Sequence, residues 1–467
     1  MKAGFGRSDI TPRLGVQLAG YGPYRNRAAR AHLAPLSARA MAVSEGSSRA
    51  LLLSLELVGV AGALADRIRA AVAKRIGCRT EEIFLSATHT HSGPAVGGMF
   101  GWGEADALYV ETLAARAADA AEEAWKARVA AKWSYAEVPC EGIAVNRETD
   151  TGFAMNENFA ERLDPRWRPA RPQDTDPTVR VLAARDAKGR LLGLLHHFGC
   201  HPVVCGEQTT DVHGDFVGLA SIQLEKAHPG AVAIFLLGAQ GDINPVLNHR
   251  NPRESRQALR VLGRRYAGVI ARALRAAHPI GVGRTVPSTP ILDSEASGIL
   301  HVIARRPTFA RTAPSRKKIE QRIAALEKRF SAPGLTDSTT VGKPPLHTSG
   351  MEMVRLQGLR SVLAQFHGNR APNPPVPLQG LRIGPVALLG CGLEVYHSLQ
   401  AGIMAGSPHP HTWVVSLVGG KGYAPDAAAQ KRAGYSYEFV PLILGELPYR
   451  RVHAELPRAL IKLARDL

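Results

Sequence analysis

Residues 83–94 read IFLSATHTHSGP, a short apolar run of strand length that ends in a polar turn opening on His89-Thr90-His91. The same layout recurs at four other places. Residues 192–200 lead into His201-Pro202, and 232–237 lead into the glycine-rich stretch 238–245. Residues 386–393 lead into Glu394, and 414–422 lead into Tyr423. Sheet proteins gather their sites at strand ends followed by glycine-rich turns, because a rigid scaffold aims several loop residues at one point. The recurrence is more informative than any single motif in it.

Around these runs, apolar strand-like stretches alternate with longer helical ones rich in Ala and Arg. The pattern predicts strands over 50–58, 83–88, 178–183, 190–198, 232–237, 386–389 and 412–417. It predicts helices over 61–76, 105–127, 215–227, 253–278, 315–330, 351–366 and 394–405. Such a mixture implies an α/β or α+β layered domain. No segment repeats at a period of 20–50 residues, which excludes a solenoid or propeller. Residues 148–177 and 331–348 lack periodicity and read as long loops. Neither looks like a linker, so one domain over residues 1–467 is expected.

The 467 residues are 45% apolar, enough for a large core. No apolar run is long enough for a transmembrane segment. The N-terminal MKAGFGRSDITPRLG has no apolar core of a signal peptide, so a cytoplasmic location is expected. The five cysteines, Cys78, Cys140, Cys200, Cys205 and Cys391, are scattered and odd in number, which argues against a disulfide framework. Cys200 and Cys205 flank His201-Pro202 but lack the tight pairing of a thiolate metal site, and they read as buried thiols. The net charge is +18. Such a balance suits nucleic acid, an anionic membrane surface or an acidic substrate. The main cluster, 305–329, places Ile319, Ile323, Leu326 and Phe330 at helical spacing, which implies an amphipathic helix with a solvated basic face. Nucleic-acid binding is not expected, since interleaved aromatics and recognised modules are absent.

In an extended segment, residues two apart share a face, so His89 and His91 could both meet one metal ion, and zinc favours nitrogen ligands. With 17 His in 467 residues, about 0.6 such pairs arise by chance, so a polar loop after a strand explains the pair equally well. His201 precedes a proline, which pushes its backbone toward an extended or turn conformation. It is either a stiff ligand or a hydrogen-bonded turn histidine. His196 and His197 lie inside a strand-like run and read as packing or supporting residues. Glu394 is a third ligand, a base, or a helix-start carboxylate. Asp211, His213 and Asp215 form a polar cluster (DVHGD) open to ligand, supporting or capping roles. No GxSxG elbow, GxxxxGK[ST] loop or HExxH helix is present, which removes the common serine-hydrolase, P-loop and metalloprotease routes.

These landmarks, taken in order and spacing, resemble the neutral/alkaline non-lysosomal ceramidase family over nearly the whole chain. They are AGFGRSDITP at 3–12 with Ala19-Gly20-Tyr21, SATHTHSGP at 86–94, Asn146-Arg147, HFGCHP at 197–202, GAQGDINP at 238–245, and the Glu394 and Tyr423 segments. The resemblance implies a layered sandwich of two β-sheets flanked by helices (αββα) and one Zn2+. It implies His89, His201, Glu394 and Tyr423 as metal ligands, with His91 and Arg147 lining the site. It also implies a second tyrosine downstream; Tyr435 fits, with Tyr437-Glu438 competing. The expected chemistry is hydrolysis of an amide, or an ester, by a zinc-activated water. His91, Arg147 and Tyr435 are candidates to stabilise the oxyanion.

Three departures limit the transfer. Asn244 stands where ceramidases carry serine, so a hydroxyl role there is lost, although Asn can still hydrogen-bond a substrate. With 467 residues, the immunoglobulin-like C-terminal domain of known ceramidases is not expected. The secretion signal is not expected either. The substrate is therefore expected to be a small molecule, lipid-derived or glycan-derived, without commitment to ceramide. A metal-dependent glycoside-cleaving enzyme on the same scaffold and a non-catalytic binding protein are the rival readings. Oligomeric state is not legible in the sequence.

Overall fold

The computed structural model describes residues 1–148, 158–280, 300–330 and 345–467. Two five-stranded sheets pack face to face. The first has the strand order Ile83–Ala87, Ser48–Leu55, Ser37–Glu45, Lys2–Asp9, Val129–Ala130. The second has the order Val232–Leu237, Leu191–Phe198, Thr178–Arg185, Lys132–Pro139, His278–Pro279.

Period-2 alternation builds the layers. In the first sheet Phe5, Met41, Leu52 and Phe84 point into a central core, where they meet Leu182, Leu195 and Ile234 of the second. The intervening residues Ala40, Leu51, Leu53 and Leu85 point outward onto the helices Gly62–Ile76 and Ala107–Lys126. The outer face of the second sheet carries Val181, Phe198 and Phe235 against the helices Asp215–Ala227 and Pro252–Ala276. Both faces of both sheets are thus covered, and the αββα layering expected from the sequence is what forms. A third sheet, Leu300–Arg305, Leu378–Ile383, Val386–Cys391 and His411–Val415, adds Leu388 and Trp413 to the central core. It backs onto the helix Val452–Arg465.

Parallel pairing aligns the ends that carry the site. Ser48–Leu55 pairs in parallel with Ile83–Ala87, Leu191–Phe198 with Val232–Leu237, and Val386–Cys391 with His411–Val415. His89, His201, Glu394 and Tyr423 each follow the C-terminal end of one of these strands, where open α/β sheets place their ligands.

Most predicted elements form within two or three residues of their expected bounds; the helix expected over 351–366 begins earlier, as Pro345–Ala364. The helix expected over 394–405 starts three residues late, at His397. Glu394 lies instead in a short strand, Glu394–Val395, paired in parallel with Tyr423–Ala424. Its backbone N–H donates to Gly422 O at 2.7 Å, so it belongs to a ladder and the helix-dipole reading of this carboxylate falls away. The sequence reading also passes over the strands Lys2–Asp9, Ser37–Glu45, Lys132–Pro139, Leu300–Arg305 and Leu378–Ile383, and the helix Val452–Arg465. Of the expected loop 148–177, residues 149–157 lie outside the described residues; the rest holds the short helix Phe159–Leu163 and a single tight turn at Pro172–Asp174. Of 331–348, residues 331–344 lie outside them, and the remainder opens the helix Pro345–Ala364. The basic segment forms the helix Arg316–Phe330 and buries Ile319 and Ile323. No helix among the described residues is long and apolar enough to cross a membrane.

Candidate metal centre

His89 and His91 leave the strand Ile83–Ala87 on a bent backbone. His89 sits in the left-handed region at φ 70°, a conformation that costs a non-glycine residue on the order of 1–3 kcal/mol and tends to persist at functional sites. The bend is held by His89 N–H donating to Leu57 O at 2.9 Å. The His89 ring is fixed at its other nitrogen, where Nδ1–H donates to Val58 O at 2.5 Å. His201 repeats the device: its Nδ1–H donates to Ile243 O at 3.0 Å. Both rings therefore present an Nε2 lone pair.

Both lone pairs face one oxygen. Glu394 Oε2 lies 3.3 Å from His89 Nε2 and 3.0 Å from His201 Nε2. The ligand atoms of these three buried residues all lie within 4.8 Å of one another. The Tyr423 hydroxyl is 3.4 Å from His201 Nε2. His91 Nε2 lies 3.2 Å from His89 Nε2, and its buried Nδ1 has no partner among the described residues. Gly20, at φ 97°, has to be glycine because a Cβ there would enter the His91 ring.

Electrostatics follow from this crowding. Burial pushes Glu394 up, but the His89 and His201 imidazoles outweigh it and hold the carboxyl well below its usual range. Burial lowers His201 to about 4 despite the same carboxylate. For His89 burial also works downward, and the Glu394 charge overcomes it to raise the net value. Burial, then the neighbouring imidazoles, keep His91 far below the ordinary histidine value, so it stays neutral. Burial and the Glu394 charge raise the Tyr423 phenol well above its usual range. Two imidazole nitrogens and a carboxylate oxygen crowd one point, and a cation at their centre would take both Nε2 lone pairs and the carboxylate as ligands. The N, N, O donor set, with a phenol oxygen adjacent, fits zinc by ligand type.

The other sequence candidates divide by position. His89, His91, Glu394, Tyr423 and Tyr435 line one cavity of about 340 Å³. Tyr435 is 47% exposed, at the rim, whereas Tyr437 and Glu438 line a different cavity; Tyr435 is thus the downstream tyrosine on this side. Arg147 lies behind Tyr423, with Nη2 donating to Gly241 O at 2.6 Å and reaching the Tyr423 hydroxyl at 3.4 Å. Asn244 is buried one step further back, with Oδ1 3.5 Å from Arg147 Nη1, and does not line the cavity.

His196 and His197 stay out of the site. His196 is held between the Tyr266 and Ser221 hydroxyls at 3.1 and 3.0 Å, and His197 Nε2–H donates to Val414 O at 2.8 Å. The DVHGD cluster is scaffolding. Asp211 pairs with Arg256 at 2.6 Å, and the Asp215 carboxylate accepts from the N–H groups of Val204, Cys205 and Phe216 in and beyond the turn after His201. Cys200 and Cys205 are buried free thiols.

Sequence reasoning missed Gln240, whose Nε2 donates to Glu394 Oε2 at 3.2 Å. It sits in the quoted GAQGDINP segment, but nothing in the string indicates that it reaches Glu394. It also missed the apolar wall of the cavity, which includes Val58, Met99, Trp102, Ile443 and Leu444, and the one lysine there, Lys421.

Residues 1–259, more than half of the chain, match the family described as neutral/alkaline non-lysosomal ceramidase, N-terminal. Among solved structures, neutral ceramidase from Pseudomonas aeruginosa is similar over 99% of this chain and 74% of its own, with a TM-score of 0.69 and 18% identity. A ceramidase complexed with C2 matches over the same shares, with a TM-score of 0.68 and 18% identity. At that identity the structural likeness concerns the fold, and the family match carries the assignment. Fold, strand-end geometry and sequence match agree that this chain belongs to the neutral/alkaline non-lysosomal ceramidase family.

Proposed function

We propose that the protein is a zinc-dependent hydrolase that cleaves the amide bond of an N-acylated, lipid-like substrate such as ceramide. The observation that carries this is the meeting of His89 Nε2, His201 Nε2 and Glu394 Oε2 within 4.8 Å of one another, with His89 and Glu394 lining an apolar-walled cavity. The ligand set we propose is His89, His201, Glu394 and Tyr423. We also propose that the two halves of the chain form one catalytic unit, because His89 and His201 come from the first half and Glu394 and Tyr423 from the second.

A zinc ion held there supplies a nucleophilic water at neutral pH and polarises the scissile carbonyl. The chain's own residues do the rest. Their Nδ1–H bonds to Val58 O and Ile243 O hold His89 and His201 in the tautomer that offers Nε2. Gln240 keeps the Glu394 oxygen turned toward both rings. Arg147 reaches the Tyr423 hydroxyl and positions it, and Asn244 steadies Arg147; both act through Tyr423. His91 is neutral and lines the cavity, so an N–H from it can meet the oxyanion that develops on the carbonyl. The Tyr435 hydroxyl at the rim is a second donor for the same oxyanion. The apolar wall receives the acyl chain and excludes water from it.

Elemental analysis of the purified protein should find about one zinc per chain. An N-acyl panel should release free fatty acid and amine, with activity lost on chelation and regained on adding zinc. Cleavage confined to glycosides, or no turnover with zinc bound, would overturn the proposal.

A further inference from the structure

We infer that Lys421 reads an anionic group on the substrate, so that the preferred substrate is a long-chain N-acylated amine bearing a carboxylate close to its amide. This deepens the hydrolase reading of the metal centre and rests on it. Lys421 lies in the turn between the strands His411–Val415 and Tyr423–Ala424, two residues before Tyr423. It lines the same cavity as His89, Glu394 and Tyr423, and it is the only lysine or arginine among the described residues that does so. The remaining wall is mostly apolar or glycine.

Lys421 is half-buried as a residue and forms no ion pair among the described residues. Its one hydrogen-bond partner among the described residues is a backbone carbonyl, Gly98 O. Glu446, the acid nearest in charge terms, is already committed to Arg311 at 2.7 Å. An ammonium has three donors, so two remain for a ligand. Gly97 and Gly98 turn at φ 88° and 77° beside it, and the ammonium occupies the space where a Cβ on Gly98 would point. A cation at the edge of an apolar wall is more favourable with a counter-charge than without one. A neutral N-acyl substrate offers none. A carboxylate on the amine portion would accept from the two remaining donors, and the placement of Lys421 two residues before Tyr423 in one cavity of about 340 Å³ favours a carboxylate close to the scissile amide. An N-acyl amino acid has this layout. The +18 net charge would favour the approach of such an anion over large distances.

N-lauroylglycine and N-lauroylethanolamine form a matched pair, differing in a carboxylate against a hydroxymethyl group. With zinc-loaded protein, kcat/KM for the acid should exceed that for the alcohol by about tenfold or more, as expected for one charge-assisted contact. In Lys421→Met the ratio should fall to about 1, and in Lys421→Arg it should be largely kept. The corresponding dodecylsulfonamides resist hydrolysis and give the same comparison by calorimetric binding. Cleavage of both amides at equal kcat/KM, or an acid preference that survives in Lys421→Met, overturns the inference while leaving the hydrolase reading intact. If neither amide is cleaved, yet the acidic sulfonamide binds about tenfold tighter and loses that advantage in Lys421→Met, the anion site stands and the amide-hydrolase reading falls.

Discussion

His89 carries two constraints at once: a left-handed backbone and a ring pinned through Nδ1. What it gains is an Nε2 directed at Glu394, opposite the Nε2 of His201. Alanine at His89 or at His201 leaves too few donors for a tight site. Zinc content after dialysis should then fall well below one per chain, and amide cleavage should fall by more than about a hundredfold, beyond what loss of an outer partner causes. Full zinc occupancy in either variant would remove that residue from the ligand set. At this scale the sequence was legible in part. His89, His201 and Glu394 could be named because their residue types and strand-end positions suit metal binding. Gln240 could not, because its role depends on a carboxylate 154 residues away in the chain. The split between Arg147 behind Tyr423 and His91 in the cavity likewise exists only in three dimensions.

Strands with strong apolar character were read well, and those built from small residues were not. Ser37–Glu45 is SARAMAVSE, whose alanines suggest helix, and Lys2–Asp9 is KAGFGRSD, whose glycines suggest a loop. Tertiary packing explains both. The helix Ala107–Lys126 lies so close to the first sheet that Gly4 and Gly6 have backbone atoms of that helix where a Cβ would sit. Close approach demanded the very residues that hid the strand. Gly4→Ala should therefore destabilise the fold by about 1–3 kcal/mol, the usual cost of overpacking. Gly268 is the counterpart, an exposed glycine inside the helix Pro252–Ala276 with open space around it. Gly268→Ala should stabilise by about 0.5–1 kcal/mol through helix propensity. Urea midpoints of the two variants should move in opposite directions; movement the same way would show that local propensity, not interlayer distance, governs both positions. Glu394 teaches the converse lesson. Its segment looked helical, but pairing with Tyr423–Ala424 outweighed propensity for a two-residue strand that carries two proposed ligands.

On the scale of the whole molecule, the sandwich buries histidines that play no part in the metal centre. His196 lies between the second sheet and its helices, and His197 on the opposite face of the same strand. Burial pushes both down to about 3, and it pushes His213 down to about 4. In the unfolded chain each returns to about 6.5. A group whose folded value is depressed contributes stability that is present above its unfolded value and is lost as pH falls toward the folded one. Between pH 6.5 and 4 the unfolded chain therefore gains up to three protons that the folded chain does not. Asp215 acts in the opposite sense. Burial pushes its folded carboxyl up to about 6 from 3.8, so its contribution is fullest below 3.8 and is lost as pH rises through 6. The balance favours the histidines. Stability should fall on acidification by roughly 1–3 kcal/mol per pH unit, one to two protons' worth at about 1.4 kcal/mol each. His196→Gln can keep hydrogen bonds to Tyr266 and Ser221 but cannot titrate. Urea unfolding of the wild type and this variant at pH 6.5, 5.5 and 4.5, both with chelator, isolates its share, because protonation at the metal centre is common to the two. The variant should lose less stability per unit by about one proton's worth. Parallel slopes would mean that His196 is protonated in the folded protein, and that the layer between sheet and helices admits water.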